Sequence, residues 1–384
     1  MTKSTLDPAG RRIIVATMIL SAWLAAWQPV GALETDQFTV PPQPLADIGP
    51  QVAEKLHDTL ATIIRQLNAE LDQLTSQLAS AVHPDTRSRI QQQIDQRLSG
   101  RLIADRLYNA TGIGVPETQL ELWIRRNDFH SSQPAVFEVA CADSVTGICI
   151  QRPLIMIGLA PTINMFGCYF GTDKIGHFFQ QGYENYELDL KGRSQGLNEA
   201  DRLKQIVVKG GELEKGVFGL FLSGIYSNAD LAADYAGYKF YLNLCEPVKI
   251  GSTIHPPLFV LVNQRWTFNP QAADPLTKPF ISDHFNEALN PCEYEPSFQS
   301  SVRAAVTQRA PATLTFYHTT AQRELGRLEQ LATWHGENYG HSGFDHLMTL
   351  PGVMGFPMKV GTLIVTERPV SSAQMPSPDN KSSR

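Results

Sequence analysis

The pattern of apolar positions divides the chain into an amphipathic N-terminal part and a longer helical part. Over residues 51–82, leucine, isoleucine and valine recur at steps of three and four, the spacing of one face of an α-helix. His83-Pro84 interrupts the pattern, and Asp85 can cap a second amphipathic helix. The sequence therefore predicts an amphipathic helical hairpin over residues 48–111, preceded by an extended linker over residues 33–47.

The remainder is predicted to be a helical core domain over residues 112–367. Runs rich in β-branched and aromatic residues flank a turn and predict a small β hairpin at 134–165. Further helices follow from the periodicity, and they are expected at about 172–188, 198–220, 227–244, 282–289 and 297–331. The Pro-rich segments 247–257 and 268–279 predict loops, and the Ser/Pro-rich tail 368–384 predicts disorder. The fold class is thus mainly α with a small antiparallel β element.

The first 32 residues have the features of a secretory signal peptide. Arg11-Arg12 precede the apolar run Ile13 to Trp27, which is shorter than a membrane-spanning helix. Val30-Gly31-Ala32 supplies small residues at a cleavage point, so we expect cleavage after Ala32. The protein would then be periplasmic or secreted. The alternative is an uncleaved N-terminal membrane anchor.

Export permits disulfides among the five cysteines. Cys141 and Cys149 flank a turn-like stretch, while Cys245 and Cys292 each follow a helix, so either pair can be bridged. The connectivity does not follow from the sequence. Cys168 stands in an apolar context, which favours a buried free thiol over a nucleophile.

Composition narrows the function classes. The 384 residues are 42% hydrophobic, enough for a sizeable core, and the formal net charge is -6. No block of Lys and Arg with interleaved aromatic residues is present, so nucleic acid is not an expected partner.

Three short clusters carry the candidate chemistry, and each lies on a predicted helix of the 172–244 region. Ionisable side chains recur within each cluster at spacings that place them on one helix face. The clusters are Asp173, Lys174 and His177; Glu212 and Glu214; and Ser227, Asp230 and Asp234, followed by Gly237. Three such faces on successive, otherwise apolar helices predict a polar site inside a helical core.

Helix capping accounts for part of this pattern. Thr172 can cap the first helix, with Asp173 stabilising its first turn and orienting His177. Ser227 and Asp230 have the spacing of a capping box. Capping does not explain an acid one turn deeper, at Asp234. Gly237 lowers helix stability and predicts close approach of another backbone.

The layout also resembles that of VanZ-like proteins and, more closely, a group of small exported bacterial proteins of unknown function. The match is Asp-Lys-x-x-His on one helix, a Glu on the next, and Ser-x-x-Asp-x-x-x-Asp-x-x-Gly on a third, over residues 170–240. Asp234 stands where VanZ-like proteins usually have Asn, and the membrane-spanning helices of that family are missing around the motif. The resemblance implies a shared three-helix arrangement and a link to the cell envelope, but no established activity.

These observations lead to one hypothesis and one alternative. The hypothesis is an exported metal-assisted hydrolase of a lipid or cell-wall component that uses zinc, manganese or iron. His177, Asp230 and Asp234 would be metal ligands or proton-transfer groups. Glu214, Asp173 and Lys174 would serve catalysis, with Glu214 as general base or further ligand. The alternative is a non-enzymatic envelope protein in which the cluster is a packing network. A partner protein or a second copy would then bind through residues 48–111.

Two further groups contain histidine. Asp283-His284 lies near Glu287 and Asn290, and three more histidines lie in a Gly-rich segment, at His335, His341 and His346. Scattered surface histidine is the preferred interpretation of these residues.

Overall fold

The fold is mainly α with small, mostly antiparallel sheets, as expected. The computed structural model describes residues 33–145, 158–216, 219–220, 223–290, 292–331, 333–334 and 348–356. The predicted signal peptide and the tail 368–384 lie outside these residues. Within them, no helix has the length and apolar character needed to cross a membrane.

The N-terminal hairpin consists of three helices. Helix α1 (Gly49–Ser80) returns through α2 (Pro84–Arg97) and α3 (Gly100–Thr111). The single returning helix that the periodicity predicts is therefore wrong, because Ser99 takes an extended conformation ahead of Gly100, and both residues have low helix propensity. The apolar face of α1 belongs to the same core as the rest of the chain.

Helix α4 (Gln119–Arg126) precedes the central strands. Three helical stretches then hold the predicted motifs. The first consists of α5 (Asp173–Gly176), a π-helical segment (His177–Gln181) and α6 (Gly182–Ser194). The others are α7 (Glu199–Lys215) and α8 (Asn228–Asn243). Every residue of α8 is buried, so this helix forms the centre of the core.

Gly237 permits the close packing of α8 on the π-helical segment. A Cβ atom at Gly237 would lie 2.0 Å from the carbonyl oxygen of Phe178, a distance that no real side chain tolerates. The close backbone approach predicted from this glycine is confirmed. It also places the third motif cluster directly against the first.

Short strands surround this helical core. Strand β1 (Leu33–Glu34) pairs in parallel with β3 (Gly158–Leu159). The other pairings are antiparallel: β2 (Val136–Phe137) with β4 (Thr162–Met165), β4 with β5 (Cys168–Gly171), β6 (Ile225–Tyr226) with β11 (Glu293–Tyr294), β7 (Val248–Ile250) with β8 (Thr253–His255), and β9 (Phe259–Val262) with β10 (Arg265–Phe268). The loop predicted at 247–257 is therefore a hairpin, whose β-branched residues pair before Pro256 ends it.

The C-terminal part differs from its prediction in two places. Residues Asp283–Phe285 form a 3-10 turn in place of a helix over 282–289. The single helix expected over 297–331 is two helices, α9 (Pro296–Phe316) and α10 (Ala321–Leu331), because the chain turns at His318, whose φ is 50°. A short helix α11 (Leu350–Val353) follows among the described residues.

Residues 33–47 are extended, but they are not a linker. Glu34, Thr35, Asp36 and Gln37 are all buried polar residues. Buried polar side chains need partners, and Thr35, Asp36 and Gln37 each have one far along the chain. The segment is therefore part of the core.

Three cysteines are free thiols: Cys168, Cys245 and Cys292. The free thiol at Cys168 is confirmed, and the bridge considered between Cys245 and Cys292 does not form. The bridge between Cys141 and Cys149 stays a prediction, because Cys149 lies outside the described residues.

Candidate functional site

His177 stands at the first position of the π-helical segment, and both of its ring nitrogens face carboxylates. Nδ1 lies 2.9 Å from Oδ1 of Asp234, and Nε2 lies 3.3 Å from Oδ2 of Asp230. Both acids come from the wholly buried helix α8. The His177 side chain keeps 18% of its surface exposed, against 3% for Asp230. Solvent therefore reaches the cluster at the imidazole. A π-helical turn is a common feature of functional sites.

Glu214 joins this pair from the last turn of α7. One ligand atom from each of His177, Glu214 and Asp230 lies within 4.8 Å of the other two. Glu214 is buried, whereas its neighbour Glu212 is exposed, so Glu214 is the acid of this pair that joins the cluster. The backbone amide of Ser227 donates to Oε2 of Glu214 at 3.1 Å and fixes the carboxylate beside the start of α8.

Lys174 supplies a fully buried positive charge on the opposite side of Asp230. Its Nζ donates to Oδ2 of Asp173 at 2.7 Å and to Oε1 of Glu287 at 2.5 Å, and it also pairs with Oδ1 of Asp230. Asp230 thus lies between the two basic groups of the site, with one oxygen toward Lys174 and the other toward His177.

Two buried acids complete the cluster from distant parts of the chain. Glu287 precedes β11, and Glu34 belongs to β1. Ligand atoms of Glu34, Asp230 and Glu287 lie within 4.8 Å of one another, so Asp230 belongs to two groups of three. The prediction recognised Glu287 only as part of a separate acidic face and did not include Glu34.

Strand β1 leads into a short segment that ties the N-terminal chain to the site. The Thr35 hydroxyl donates to Oδ1 of Asp173 at 2.6 Å, and Oε1 of Gln37 accepts from the backbone amide of Glu287. Gly171 makes room for the first contact, since a Cβ there would lie 1.7 Å from the Thr35 hydroxyl oxygen. Gly171 stands two residues before Asp173 and was the sequence signal available for such a contact.

The predicted role of Asp173 is wrong. Its two oxygens are taken by Thr35 and Lys174, and Asp234 is the carboxylate that orients His177. The predicted Thr172 cap also does not form. At the third helix, the Ser227 hydroxyl accepts from the Asp230 amide, which confirms half of the capping box. The other half is missing, because Glu214 takes the Ser227 amide.

The site contains more acids than bases. In the described part of the chain, six buried carboxyl groups lie in it, against one lysine and one histidine: Glu34, Asp173, Glu214, Asp230, Asp234 and Glu287. Buried charge without a partner is costly. The cluster must therefore hold extra protons or a cation.

The pKa values of the buried acids reflect this surplus of carboxyl groups. Burial and the charge of Asp230 raise the pKa of both Glu34 and Glu214 well above the usual value. Burial likewise raises the pKa of Glu287, to about 7. Burial opposes ionisation of Asp230 too, but His177 and Lys174 outweigh it and lower the pKa of Asp230. Asp230 is thus the permanent anion at the centre of the site.

The charge of His177 responds to the same acids. Burial acts to lower its pKa, but the charges of Asp230 and Asp234 outweigh that effect and hold the pKa well above the usual value. Without a metal, His177 is therefore an imidazolium that donates from both nitrogens.

The other histidines do not join this cluster in the described part of the chain. The His284 ring contacts the Ser282 hydroxyl and the Thr333 carbonyl oxygen. His335, His341 and His346 lie outside the described residues.

The geometry suits a divalent metal at the first group of three. One imidazole nitrogen and two carboxylates form a donor set that zinc, manganese and iron accept. Asp234 contacts the other imidazole nitrogen, a relationship common to histidines that bind metals. Asp234, expected among the metal ligands, lies outside this group of three, whereas Glu214, expected as general base or further ligand, belongs to it.

No protein-family model matches the chain, and no curated protein or solved structure is similar to it.

Proposed function

We propose that this protein is an exported metal-dependent hydrolase whose metal is bound by His177, Glu214 and Asp230. The observation that carries the proposal is the convergence of these three side chains within 4.8 Å at the centre of the core. They come from three different helical elements and from the three clusters identified in the sequence.

The charge of the site supports a metal. A divalent cation would offset the surplus of buried carboxylates without requiring several of them to stay protonated. Metal binding needs His177 to release the Nε2 proton, and Asp234 would keep the Nδ1 proton in place. Three protein ligands leave a coordination position for water or substrate, the arrangement of catalytic metal sites. The exposed part of His177 provides access to that position.

Hydrolysis is the reaction class that this arrangement favours. A metal bound at such a site lowers the pKa of a coordinated water and polarises a carbonyl or phosphoryl oxygen. The predicted signal peptide and the resemblance to VanZ-like proteins support a lipid or cell-wall component of the envelope as the substrate class. Lys174 is fully buried and triply paired, so it would hold Asp230 in position and would not contact substrate.

Elemental analysis of the purified protein tests the metal. We expect at least one equivalent of zinc, manganese or iron in the wild type and about one equivalent less in His177→Ala. His83→Ala is the matched control, because His83 is exposed and its side chain forms no capping bond at the start of α2. Metal-free wild-type protein that takes up none of the three metals on dialysis would refute the proposal.

The second candidate function is a packing network in an envelope protein without enzyme activity. The observation that favours it is Lys174, whose ammonium pairs with Asp173, Asp230 and Glu287 without any metal. Under this alternative, added metal leaves the melting temperature unchanged, and His177→Ala lowers it. Under the metal proposal, added metal raises the melting temperature of the wild type and not that of His177→Ala.

A further inference from the structure

The geometry points to a second cation site, formed by Glu34, Asp230 and Glu287, so that Asp230 bridges two metal ions. This inference rests on the proposed metal function, because both sites share Asp230. It adds a ligand set without histidine, in which Glu34 and Glu287 bind the second cation.

The first support is the position of the three carboxylates. Their ligand atoms lie within 4.8 Å of one another, and each side chain is at most 3% exposed. Glu34 comes from strand β1 and Glu287 from the turn before β11, and Oε1 of Glu287 also accepts from the Ser227 hydroxyl at the start of α8. Acidic residues that gather from distant segments need a cation or protons to offset their repulsion.

The second support is that two oxygens of this group have no hydrogen-bond partner. Oε2 of Glu34 and Oε2 of Glu287 are both buried, and neither is paired among the described residues. A buried carboxylate oxygen without a partner loses its hydration and gains nothing in return. A cation bound between the two oxygens would satisfy both.

Lys174 does not contact the two unpaired oxygens. Its ammonium binds the other oxygen of Glu287, Oε1, together with Oδ1 of Asp230. Glu34 has no direct ion pair with this ammonium among the described residues. With all three acids of the group ionised, a divalent ion would offset the negative charge that Lys174 and His177 leave unbalanced.

The donor set determines the class of ion. The second site offers only carboxylate oxygens, which favour the hard cations magnesium, calcium and manganese, whereas the histidine site favours zinc, manganese or iron. Manganese suits both sites. A carboxylate shared by two metals about 3.5–4 Å apart is the arrangement of two-metal hydrolases, which bind the attacking and leaving oxygens together.

The experiment is manganese stoichiometry on the full-length mature protein, measured by equilibrium dialysis. We expect two Mn²⁺ per chain in the wild type, one in Glu34→Gln, one in His177→Ala and none in Asp230→Asn. Glu324→Gln is the matched control, because Glu324 is another buried glutamate with an unpaired Oε2, and its Oε1 accepts from Thr319 and Arg327, away from the site. It should keep both ions.

The outcomes separate the two proposals. One Mn²⁺ in the wild type that is lost in His177→Ala and kept in Glu34→Gln overturns the second site and leaves the first intact. No bound Mn²⁺ in any variant overturns the second site, and the first site is then decided by the uptake of zinc, manganese and iron described above. If Glu34→Gln does not fold, Glu287→Gln replaces it. Electron paramagnetic resonance of the wild type gives an independent readout, since two ions bridged by Asp230 are magnetically coupled and an uncoupled signal contradicts the bridge.

Discussion

His177 and Asp234 form a direct contact of 2.9 Å between Nδ1 and Oδ1, from a π-helical turn to the centre of a buried helix. The contact fixes the orientation of the ring and directs Nε2 toward Asp230. Its effect on metal binding can be measured separately from the ligands themselves.

Replacing Asp234 with Asn keeps the hydrogen-bond acceptor at Nδ1 but removes the charge. We expect metal affinity to fall about 10- to 100-fold, the usual effect of losing the carboxylate behind a metal-binding histidine. Competition with a chromogenic chelator measures it. Glu212→Gln is the control, since this acid is exposed on the same helix as Glu214 and should not change affinity. An unchanged affinity in Asp234→Asn would show that Asp234 does not act on the metal through His177.

Replacing Lys174 with Met should destabilise the fold. The change removes the cation from Asp173, Asp230 and Glu287 while roughly keeping the side-chain volume. Breaking a buried pair by removing one partner costs about 3–5 kcal/mol. Urea denaturation of the metal-free protein measures the free energy of unfolding.

The control for this variant is Lys209→Met. Lys209 pairs with Glu184 at 2.8 Å, but both side chains are about a third exposed or more. Such a pair contributes about 0–1 kcal/mol. Equal effects of the two variants would mean that the buried lysine has no special role in stability.

Replacing Gly237 with Ala should separate α8 from the π-helical segment. The new Cβ would lie 2.0 Å from the Phe178 carbonyl oxygen, so the backbone has to move. We expect a loss of about 1–3 kcal/mol in unfolding free energy, together with weaker metal binding. In the control, Gly326→Ala, the added Cβ enters open space on α10, and stability should rise by about 0.5–1 kcal/mol. Circular dichroism melts compare the two variants.

Glu121 gives a pH dependence that is separate from the proposed ligands. Burial raises its pKa to about 8, although the Thr118 hydroxyl and amide both donate to it. Because the folded state favours the protonated form, its contribution is complete below about pH 4.5 and is lost as pH rises toward 8. Other buried acids titrate in the same direction, so the useful quantity is the difference between wild type and Glu121→Gln. We expect the variant to lose less stability than the wild type between pH 5 and 8 in urea titrations. Parallel curves would contradict a raised pKa at Glu121.

The sequence was informative where the contacts depend on helix geometry. Recurrence at four-residue steps grouped His177 with Asp173 and Asp234 with Asp230, while Glu214 was selected by the motif resemblance alone. The structure brings His177, Glu214, Asp230 and Asp234 together. The same pattern could not identify the partner of each acid. Asp173 lies one turn from His177, yet Thr35 and Lys174 bind it, because a shared helix face permits a contact without selecting it.

Contacts between distant segments were not predictable from local patterns. Thr35 and Asp173 are 138 residues apart, and Gln37 and Glu287 are 250 apart. The composition of residues 33–47, which contain Pro and Gln, is typical of an extended linker. Its burial depends on partners that no periodicity connects to it.

Because β1 lies near the N-terminus, the site residues around it are synthesised long before their partners. Glu34, Thr35 and Gln37 are synthesised early, but their partners at Asp173 and Glu287 follow much later in the chain. The contacts of this segment with β3 and Asp173 need only the first half of the chain, but those with Glu287 need residue 287 as well. A chain interrupted before residue 287 would therefore carry His177 and Asp230 without completing the acidic centre around them.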